Sequence, residues 1–542
     1  MRQKRRIRWA FVPTKRVVRL VLGVVALAAA LVGAGLAVNG SPRSRPALAR
    51  VGEGPLPHAV GPPRTIVMVV FDELPLTSLL EPGGRIDAAR YPAFAGLARD
   101  GTWFRGATAV HDSTALAVPA MLDGRYPRRG LQSDVYSHPA NLFTLLAGDY
   151  ELHVSEEATG LCPTSLCVPT RGTTASHLSR GKLARFHRFV RGIRPTPGPA
   201  LWFKHVLLPH VPWQYYPSGR SYRRFAPEAI PGLNGPLGFK VPWLVKVSYQ
   251  RHLLQLGMAD RLLGQLVARL RGEGLYRDAL VVVVADHGIG FRLGLERRTV
   301  RPRNVQDLAP VPLIVKPPRA RGGRVIDRHV ETIDVLPTLL ELAGEPVPER
   351  VDGQSLFHPF AAQTSRVTVY HRVGTRLNTI GGEYTFDPKA VARRRSSAVR
   401  RKTAWFGSGG GRNPEALYLI GPHAELVGKP VTSLPLVRAA RSHPHATIDQ
   451  AAGLRNVEPT SDFIPGQITG TVRPGHPGGG RQIALAINGT IAATGRTFSL
   501  AGSKSRENLE LIVPESALRS GANRAQLFEI VERAGEATLR PL

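Results

Sequence analysis

Residues 65–75 read TIVMVVFDELP and contain the segment that decides the fold. Ile66 to Phe71 is an unbroken apolar run rich in β-branched residues, which predicts a strand buried on both faces, as in a parallel sheet. Runs of the same kind predict further strands at residues 201–209 (LWFKHVLLP), 279–285 (ALVVVVA) and 310–316 (PVPLIVK). Between them, residues 257–274 (GMADRLLGQLVARLRGEG) carry Leu and Val at helical spacing. Strands that alternate with helices indicate an α/β fold.

The character of the sequence changes after about residue 360. Residues 361–460 predict an irregular or β-rich extension, in which the basic, Gly- and Ser-rich run 393–412 is expected to form an exposed loop. The last part, 461–542, reads as short strands and predicts a small β-sandwich-like domain. Within it, Asn488-Gly489 lies between IALAI and TIAAT, a strong signal for a two-residue hairpin turn.

The N-terminal 64 residues predict a membrane anchor. Residues 1–19 carry eight basic residues and no acid, and residues 20–38 are free of charge and long enough to cross a bilayer as a helix. The Pro- and Gly-rich run 39–64 then predicts a linker. The charge order places the N-terminus in the cytoplasm and the rest of a single-pass protein outside the membrane. A cleaved signal peptide has the same basic-then-apolar order and is the alternative.

Composition and cysteine usage agree with an exported protein. The chain has 542 residues, 43% of them hydrophobic, which is incompatible with a disordered polycation. Its net charge of +32 suggests nucleic-acid binding, but 61 of the 72 basic residues are Arg, a general bias, and the expected location excludes a nucleic-acid partner. An anionic envelope lipid or polymer is the expected partner, and the oligomeric state is not predicted. Cys162 and Cys167 predict a small disulfide loop.

Three segments place polar side chains just after a predicted strand or at the start of a helix. They are Asp72-Glu73, the run HDSTALAVPAMLDGRYP (111–127) and Asp286-His287-Gly288. Carboxyl ends of strands in open α/β sheets are where sites form, and buried acids there favour a cation as partner. The alternative for each acid is that it caps the following helix.

These motifs resemble the sulfatase-like family of the alkaline phosphatase superfamily, over about residues 65–357. The resemblance rests on the acid pair after the first strand, LDGRYP, ADHG, TIDVLPTLLELAG and DGQSL, in the family's order. It implies a sandwich of helices around a mainly parallel sheet, with the catalytic domain at 65–360. It also implies a metal-bound nucleophile at the start of a helix.

Counting back from LDGRYP, the family's nucleophile position falls on Thr114, and Ser113 is the adjacent alternative. True sulfatases have a Cys or Ser there, within a Cys-x-Pro-x-Arg motif, but Leu116 and Val118 replace the Pro and Arg. Formylglycine is therefore not expected. A Thr at this position resembles the phosphate-handling members of the superfamily.

The resemblance further implies the remaining site residues. One divalent ion (Mn, Mg, Ca or Zn, not distinguished) is expected on a set of ligands comprising Asp72, Glu73, Thr114, Asp286 and His287. His210, in Pro-His-x-Pro, is predicted to be catalytic, as a proton donor or a phosphoryl ligand. Contacts with substrate are predicted for His205, Arg292 and Arg298. For the histidines the alternative is a packing or capping role.

The predicted function is a metal-dependent hydrolase or transferase of phospho- or phosphoglycerol esters, acting through a phospho-Thr intermediate. Two alternatives remain open at this point. One is a sulfuric ester hydrolase of the same family, and the other is a catalytically inactive module that binds the envelope.

Overall fold

The computed structural model describes residues 61–167, 181–223, 240–357, 366–374, 376–410, 415–437, 444–449, 451–475, 480–499, 505–533 and 535–542. Its α-helices are α1 (Leu76–Leu79), α2 (Pro92–Asp100), α3 (Thr114–Asp123), α4 (Leu142–Leu146), α5 (Lys182–Gly192), α6 (Pro242–Gly272), α7 (Val305–Leu308), α8 (Val335–Ala343) and α9 (Pro388–Phe406). Its strands are β1 (Thr65–Asp72), β2 (Thr102–Thr108), β3 (Glu151–Ser155), β4 (Ala200–Pro209), β5 (Leu280–Ala285), β6 (Leu313–Lys316), β7 (Arg324–Glu331), β8 (Val367–His371), β9 (Gly382–Phe386), β10 (His445–Ile448), β11 (Gln467–Arg473), β12 (Gln482–Ile487), β13 (Thr490–Arg496), β14 (Glu507–Ile512), β15 (Ala525–Arg533) and β16 (Glu536–Pro541).

A seven-stranded sheet in the order β3-β4-β1-β5-β6-β2-β7 forms the centre of the predicted catalytic domain. Strand β1 pairs in parallel with β4 on one side and β5 on the other, and only β6 runs antiparallel to its neighbours in this sheet. All eight residues of β1 are buried, as its apolar sequence predicts. The α/β fold with a mainly parallel sheet is therefore confirmed.

Helices cover both faces of this sheet. On one face, Met68 and Val70 of β1 share a hydrophobic core with side chains of α3, α4 and α8. On the other face, the Phe71 ring lies 5.3 Å from that of Phe94 in α2. Helix α6 packs beside α2, and its Asp260 accepts hydrogen bonds of 3.0 and 2.9 Å from the N–H groups of Ala93 and Phe94 at the start of α2. The predicted 257–274 helix is thus the second half of α6.

The C-terminal part contains two antiparallel sheets, β10-β11-β14 and β13-β12-β15-β16. Strands β12 and β13 are joined by Asn488-Gly489, whose φ angles of 53° and 83° are those of a type I′ turn, so the predicted hairpin is confirmed. These sheets share a hydrophobic core with α6. In α6, Trp243 donates to the carbonyl oxygen of Glu510, and Arg251 pairs with the Glu510 carboxylate at 3.0 Å.

The basic run was predicted to be an exposed loop, and the structure corrects this. Its residues up to Phe406 belong to helix α9. The Asp387 side chain caps the helix by accepting from the N–H groups of Lys389 and Ala390, and apolar residues at helical spacing are buried: Val391, Ala398, Val399 and Phe406. The many Arg residues hide this weak apolar periodicity in the sequence. Packing of the few apolar residues against the rest of the protein is enough to stabilise the helix.

Two further predictions concern the disulfide and the N-terminal segment. The Cys162–Cys167 disulfide is present, as predicted. No helix in the described part of the chain is both long and apolar enough to cross a bilayer. The predicted basic leader 1–19 and membrane span 20–38, with residues 39–60 of the linker, lie outside the described residues.

Candidate functional site

Two carboxylates lie side by side because their strands are neighbours. Strands β1 and β5 pair in parallel up to Phe71 and Ala285, so Asp72 and Asp286 leave the sheet at the same edge. Asp286 Oδ1 accepts hydrogen bonds from the N–H groups of His287 (2.6 Å) and Glu73 (3.2 Å). Its Oδ2 atom is buried and has no hydrogen-bond partner among the described residues.

His205 joins these two acids. It lies on β4 opposite Val70 of β1, and one ligand atom each of Asp72, Asp286 and His205 lie within 4.8 Å of one another. The His205 Nδ1 atom is 2.9 Å from Oε1 of Glu156, while Nε2 is buried without a partner in the described structure. An imidazole fixed by a carboxylate, with its other nitrogen free, is a typical metal-ligand arrangement. The structure thus places His205 in a candidate metal group, and its predicted contact with substrate stays a prediction.

The electrostatics of the group also fit a cation. Burial, together with the charges of Asp286 and Glu73, raises the pKa of Asp72 to about 7. Burial raises the pKa of Asp286 to about 6. Two buried carboxylates that repel each other in this way gain from a divalent ion between them. The residues present therefore suit a metal of the kind that the resemblance implies.

Thr114 is the first residue of α3, and its hydroxyl faces this group. Its Oγ1 atom lies 3.1 Å from His287 Nε2 and 3.4 Å from Asp72 Oδ1. His287 Nδ1 lies 2.9 Å from the carbonyl oxygen of Gly288, which can only accept, so Nδ1 carries the proton and Nε2 presents a lone pair to the hydroxyl. Burial lowers the pKa of His287 and favours this neutral form. By contrast, Ser113 Oγ is buried with no partner in the described chain.

Glu73 faces a different set of groups. Its backbone has a left-handed conformation (φ 60°), and its carboxylate pairs with Arg298. Burial acts to raise the pKa of Glu73, but Arg298, His210 and Arg297 hold it well below its usual value. Glu73 and His287 are outside the group formed by the two aspartates and His205. Their predicted roles as metal ligands, and that of Thr114, stay predictions.

His210 follows β4 and lies at the edge of the site. Its Nδ1 atom is 2.5 Å from the carbonyl oxygen of Val211, and its Nε2 atom is 3.9 Å from Glu73 Oε1. Lys182 holds this turn by donating to the carbonyl oxygens of His210 and Val211, each at 3.1 Å. Burial holds the pKa of His210 well below its usual value. In this arrangement Nδ1 faces a carbonyl oxygen and Nε2 presents a lone pair, and the predicted catalytic role of His210 stays a prediction.

The two predicted arginines are placed differently. Arg298 pairs with Glu73 at the site, and its Nη2 atom is buried without a partner in the described residues. Arg292 instead pairs with Asp307 of α7. The structure thus brings Arg298 to the site and engages Arg292 elsewhere.

Sequence reasoning missed a clamp centred on Asp112. The carboxylate accepts from the N–H groups of Val300 (2.8 Å) and Arg372 (3.1 Å), which ties the segment before Thr114 to the end of β8. The Arg372 side chain is buried, its Nε atom has no partner in the described residues, and its charge interacts with those of Arg298 and Glu73. No local pattern marks Arg372 in the sequence.

Two other missed residues are His111 and Glu156. His111 Nδ1 accepts a 3.0 Å hydrogen bond from the N–H of Ser113, so its Nε2 carries a proton, and that atom is buried without a partner in the described chain. Burial and the nearby charges of His287 and Arg372 lower the pKa of His111 to about 3. Glu156 has a signal in the sequence, because Glu156-Glu157 follows the strand ELHVS as Asp72-Glu73 follows β1.

Similar proteins are sulfatases and phosphonate monoester hydrolases. Arylsulfatase K of Xenopus laevis is 32% identical over 127 residues, 23% of each chain, and a sulfatase of Formosa agariphila is 29% identical over 173 residues, 31% of this chain and 34% of that one. The chain thus matches only about a quarter to a third of these relatives' lengths. Two solved structures are also similar: a 2-O GAG sulfatase (15% identity, 63% of this chain and 90% of that one, TM-score 0.44) and the phosphonate monoester hydrolase of Agrobacterium radiobacter (14%, 63% and 94%, TM-score 0.43).

The family assignment follows from the extent of one match. The sequence profile of the family described as Sulfatase matches residues 64–345, more than half of the chain. This range begins at β1 and ends just after α8, so it contains Asp72, Thr114, His205 and Asp286. The chain belongs to the sulfatase family of the alkaline phosphatase superfamily, as its motifs predicted.

Proposed function

We propose that this sulfatase-family hydrolase acts on phosphate esters, with Thr114 as its nucleophile. The observation that carries the proposal is the position of the Thr114 hydroxyl, between the His287 lone pair and the Asp72 carboxylate at the start of α3. Both cysteines are in the Cys162–Cys167 disulfide, so the nucleophile position has no cysteine to mature into formylglycine. A hydroxyl that lies beside the His287 imidazole and the Asp72 carboxylate is suited to direct attack on phosphorus.

A divalent ion on Asp72, Asp286 and His205 would supply Lewis-acid stabilisation to the nucleophile and to a phosphoryl oxygen. The protein's own groups carry out the proton transfers. His287 Nε2 takes the Thr114 proton while the Oγ1–P bond forms and the bond to the leaving oxygen breaks, and the leaving oxygen, on the far side of phosphorus, takes a proton from solvent water. His210 Nε2 then accepts a proton from the water or acceptor alcohol as the Oγ1–P bond breaks. The His287 imidazolium returns its proton to the Thr114 oxygen, and His210 releases its proton to the hydroxide left in the solvent.

The anionic ester group meets three buried donors that lack partners in the described structure. They are His111 Nε2, Arg298 Nη2 and Arg372 Nε. A buried donor without a partner costs about 1–3 kcal/mol, more for a charged group, so binding of ester oxygens offsets a cost already present in the fold. This supports an oxyanion-binding role for all three.

Sulfate ester hydrolysis is the second candidate, and the names of the curated relatives favour it. The test is turnover of nitrophenyl phosphate, nitrophenyl phenylphosphonate and nitrophenyl sulfate by the purified chain, with and without EDTA. We expect EDTA-sensitive release from the phosphorus esters and a phosphorylated Thr114 detectable by mass spectrometry. Preferential turnover of the sulfate would establish the second candidate instead. No metal-dependent turnover of any ester would support an inactive binding module.

We also propose that the catalytic part works outside the cytoplasmic membrane, on an anionic envelope lipid or polymer. The disulfide supports this location because such bonds persist in oxidising compartments. An uncleaved anchor predicts that the full chain stays with membranes after an alkaline carbonate wash. Release of the intact chain by that wash would contradict the anchor.

A further inference from the structure

A groove of about 1160 Å³ opens beside helix α9, away from the residues described above. Its walls come from α9, from the segment around Gly83 and from facing parts of β2 and β7. None of the candidate catalytic or metal-binding groups of the described site lines it. Its volume is slightly above the roughly 300–1,000 Å³ that ligand sites usually enclose. The floor is aliphatic and includes Leu80, Val367, Val391 and Val399.

The charges that line the groove are mostly positive. Six basic residues and two acids line it: Arg105, Arg328, Lys389, Arg393, Arg395 and Arg400, with Asp327 and Asp387. Both acids already have partners. Asp327 accepts two 2.6 Å hydrogen bonds from Arg105, and Asp387 caps α9. An excess of positive charge therefore remains for a ligand.

Helix α9 separates its basic residues by face. It carries seven bases and no acid. Four of them are engaged by the body of the protein: Arg394 with the carbonyl of Pro302, Arg395 with that of Arg105, Arg401 with Asp307, and Lys402 with the carbonyls of Ser78 and Leu80. The other three, Lys389, Arg393 and Arg400, are exposed and line the groove. At 1.5 Å per residue, the row from Lys389 to Arg400 is about 16 Å long.

We propose that this groove binds a segment of an anionic glycan that carries sulfate or phosphate groups, at a site separate from the catalytic residues. Arg393 has only a 3.9 Å contact with Asp387, and Arg400 donates to Ser397, so both retain donors for such groups. A row of this length spans several sugar units of an extended chain. No Phe, Tyr or Trp is among the described residues that line the groove, so it lacks the stacking platform on which single-stranded nucleic acids depend. Its concave shape differs from the flat surface that a membrane would contact.

The test measures binding of a sulfated and of a phosphorylated oligosaccharide, by calorimetry. The full chain is used as Thr114→Ala, so that neither probe is consumed and a failed catalytic proposal does not affect the result. The groove variant is Arg393→Glu with Arg400→Glu. The control is Arg188→Glu with Arg261→Glu, exposed positions on α5 and α6 with the same change in net charge.

We expect the groove variant to weaken binding of at least one probe roughly tenfold or more, since it replaces two exposed contacts with the glycan's anionic groups by like-charge repulsion. The control should bind normally. Preference between the two probes identifies the anionic group. With Thr114 restored, the groove variant should hydrolyse a small nitrophenyl ester at the normal rate. The proposal would be overturned if both variants lost affinity equally or if the groove variant lost none. It would also be overturned if the protein bound single-stranded DNA more tightly than either glycan.

Discussion

The catalytic site and the α9 groove both concentrate charge, but they handle it in opposite ways. At the site, acids and bases of both signs are buried within hydrogen-bond distance of one another, and several polar atoms lack partners in the described structure. Along the groove, the exposed charges are mostly positive, and its two acids already have partners within the protein. A buried charge needs a specific partner, whereas an exposed row acts through a field that salt screens. We therefore expect single substitutions at the site to have large effects that depend little on salt, and those at the groove to have small, salt-dependent effects.

The largest effect is expected from Thr114→Ala. Loss of the nucleophile should reduce kcat by at least 10³-fold, as for nucleophiles of other hydrolases. Thr114→Ser keeps the hydroxyl and should retain measurable turnover. Ser113→Ala, which alters the adjacent alternative, should remain active. If Ser113→Ala abolishes turnover while Thr114→Ala does not, the assignment of the nucleophile is wrong.

Arg372→Gln should have the next largest effect. Removal of one donor from an oxyanion site typically costs roughly 10²-fold or more in kcat. The matched control is Arg366→Gln, at an exposed arginine just before β8 that donates to Thr385. A loss in kcat/KM confined to the Arg372 variant, with an unchanged unfolding temperature, would separate anion binding from a structural role. Equal activity of the two variants would remove Arg372 from the site.

Glu156→Gln should weaken metal binding by roughly 10–100-fold, the usual cost of losing a carboxylate behind a histidine ligand. The control is Glu157→Gln, because the Glu157 carboxylate pairs with Lys204 and Arg185, whereas the carboxylate that contacts His205 is that of Glu156. Calorimetric titration of the metal-free protein with Mn²⁺ and Zn²⁺ measures the difference. Normal affinity in the Glu156 variant would argue against His205 as a ligand.

The stability of the protein should depend on pH, and this dependence should change when a metal binds. In the metal-free fold the pKa values of Asp72 and Asp286 are raised to about 7 and about 6 from 3.8. The folded state then binds more protons than the unfolded chain, so the stability from these groups is full below pH 3.8 and falls as pH rises through 6 to 7. Each pKa unit corresponds to about 1.4 kcal/mol.

The contribution of Asp72 and Asp286 should therefore lower the unfolding temperature in EDTA at pH 8 relative to pH 5. A divalent ion should raise the unfolding temperature more at pH 8, where both carboxylates are charged. Asp286→Asn, which removes one of the two titrating groups, should reduce both differences. A metal effect that is equal at the two pH values would contradict the raised pKa values. The smallest effect is expected from the groove variant, Arg393→Glu with Arg400→Glu. Its loss of glycan affinity, relative to the unchanged groove, should shrink as the salt concentration rises.

Much of the fold could be predicted because its signals are local. Strands β1 and β5 are apolar runs that each end at an acid, and parallel neighbours must end at the same edge of a sheet. The hairpin at Asn488-Gly489 and the Cys162–Cys167 disulfide involve residues close in sequence. By contrast, α9 was wrongly predicted to be a loop, because its few apolar residues are scattered among seven bases. That they form one buried face is evident only from their packing against the rest of the protein.

The sequence by itself determined the α/β class, the family and the acids and hydroxyl that mark the site. Only the tertiary structure decided which groups accompany them. His205 meets Asp72 because β4 pairs with β1 in one register, and Arg372 reaches the site because Asp112 bonds a segment 260 residues away along the chain. The structure likewise turned Glu73 towards Arg298 and Arg292 towards Asp307. Apolar periodicity can be recognised from neighbouring residues, because it is a local property of the sequence. The partner of a buried charge depends on which distant segments the fold brings into contact.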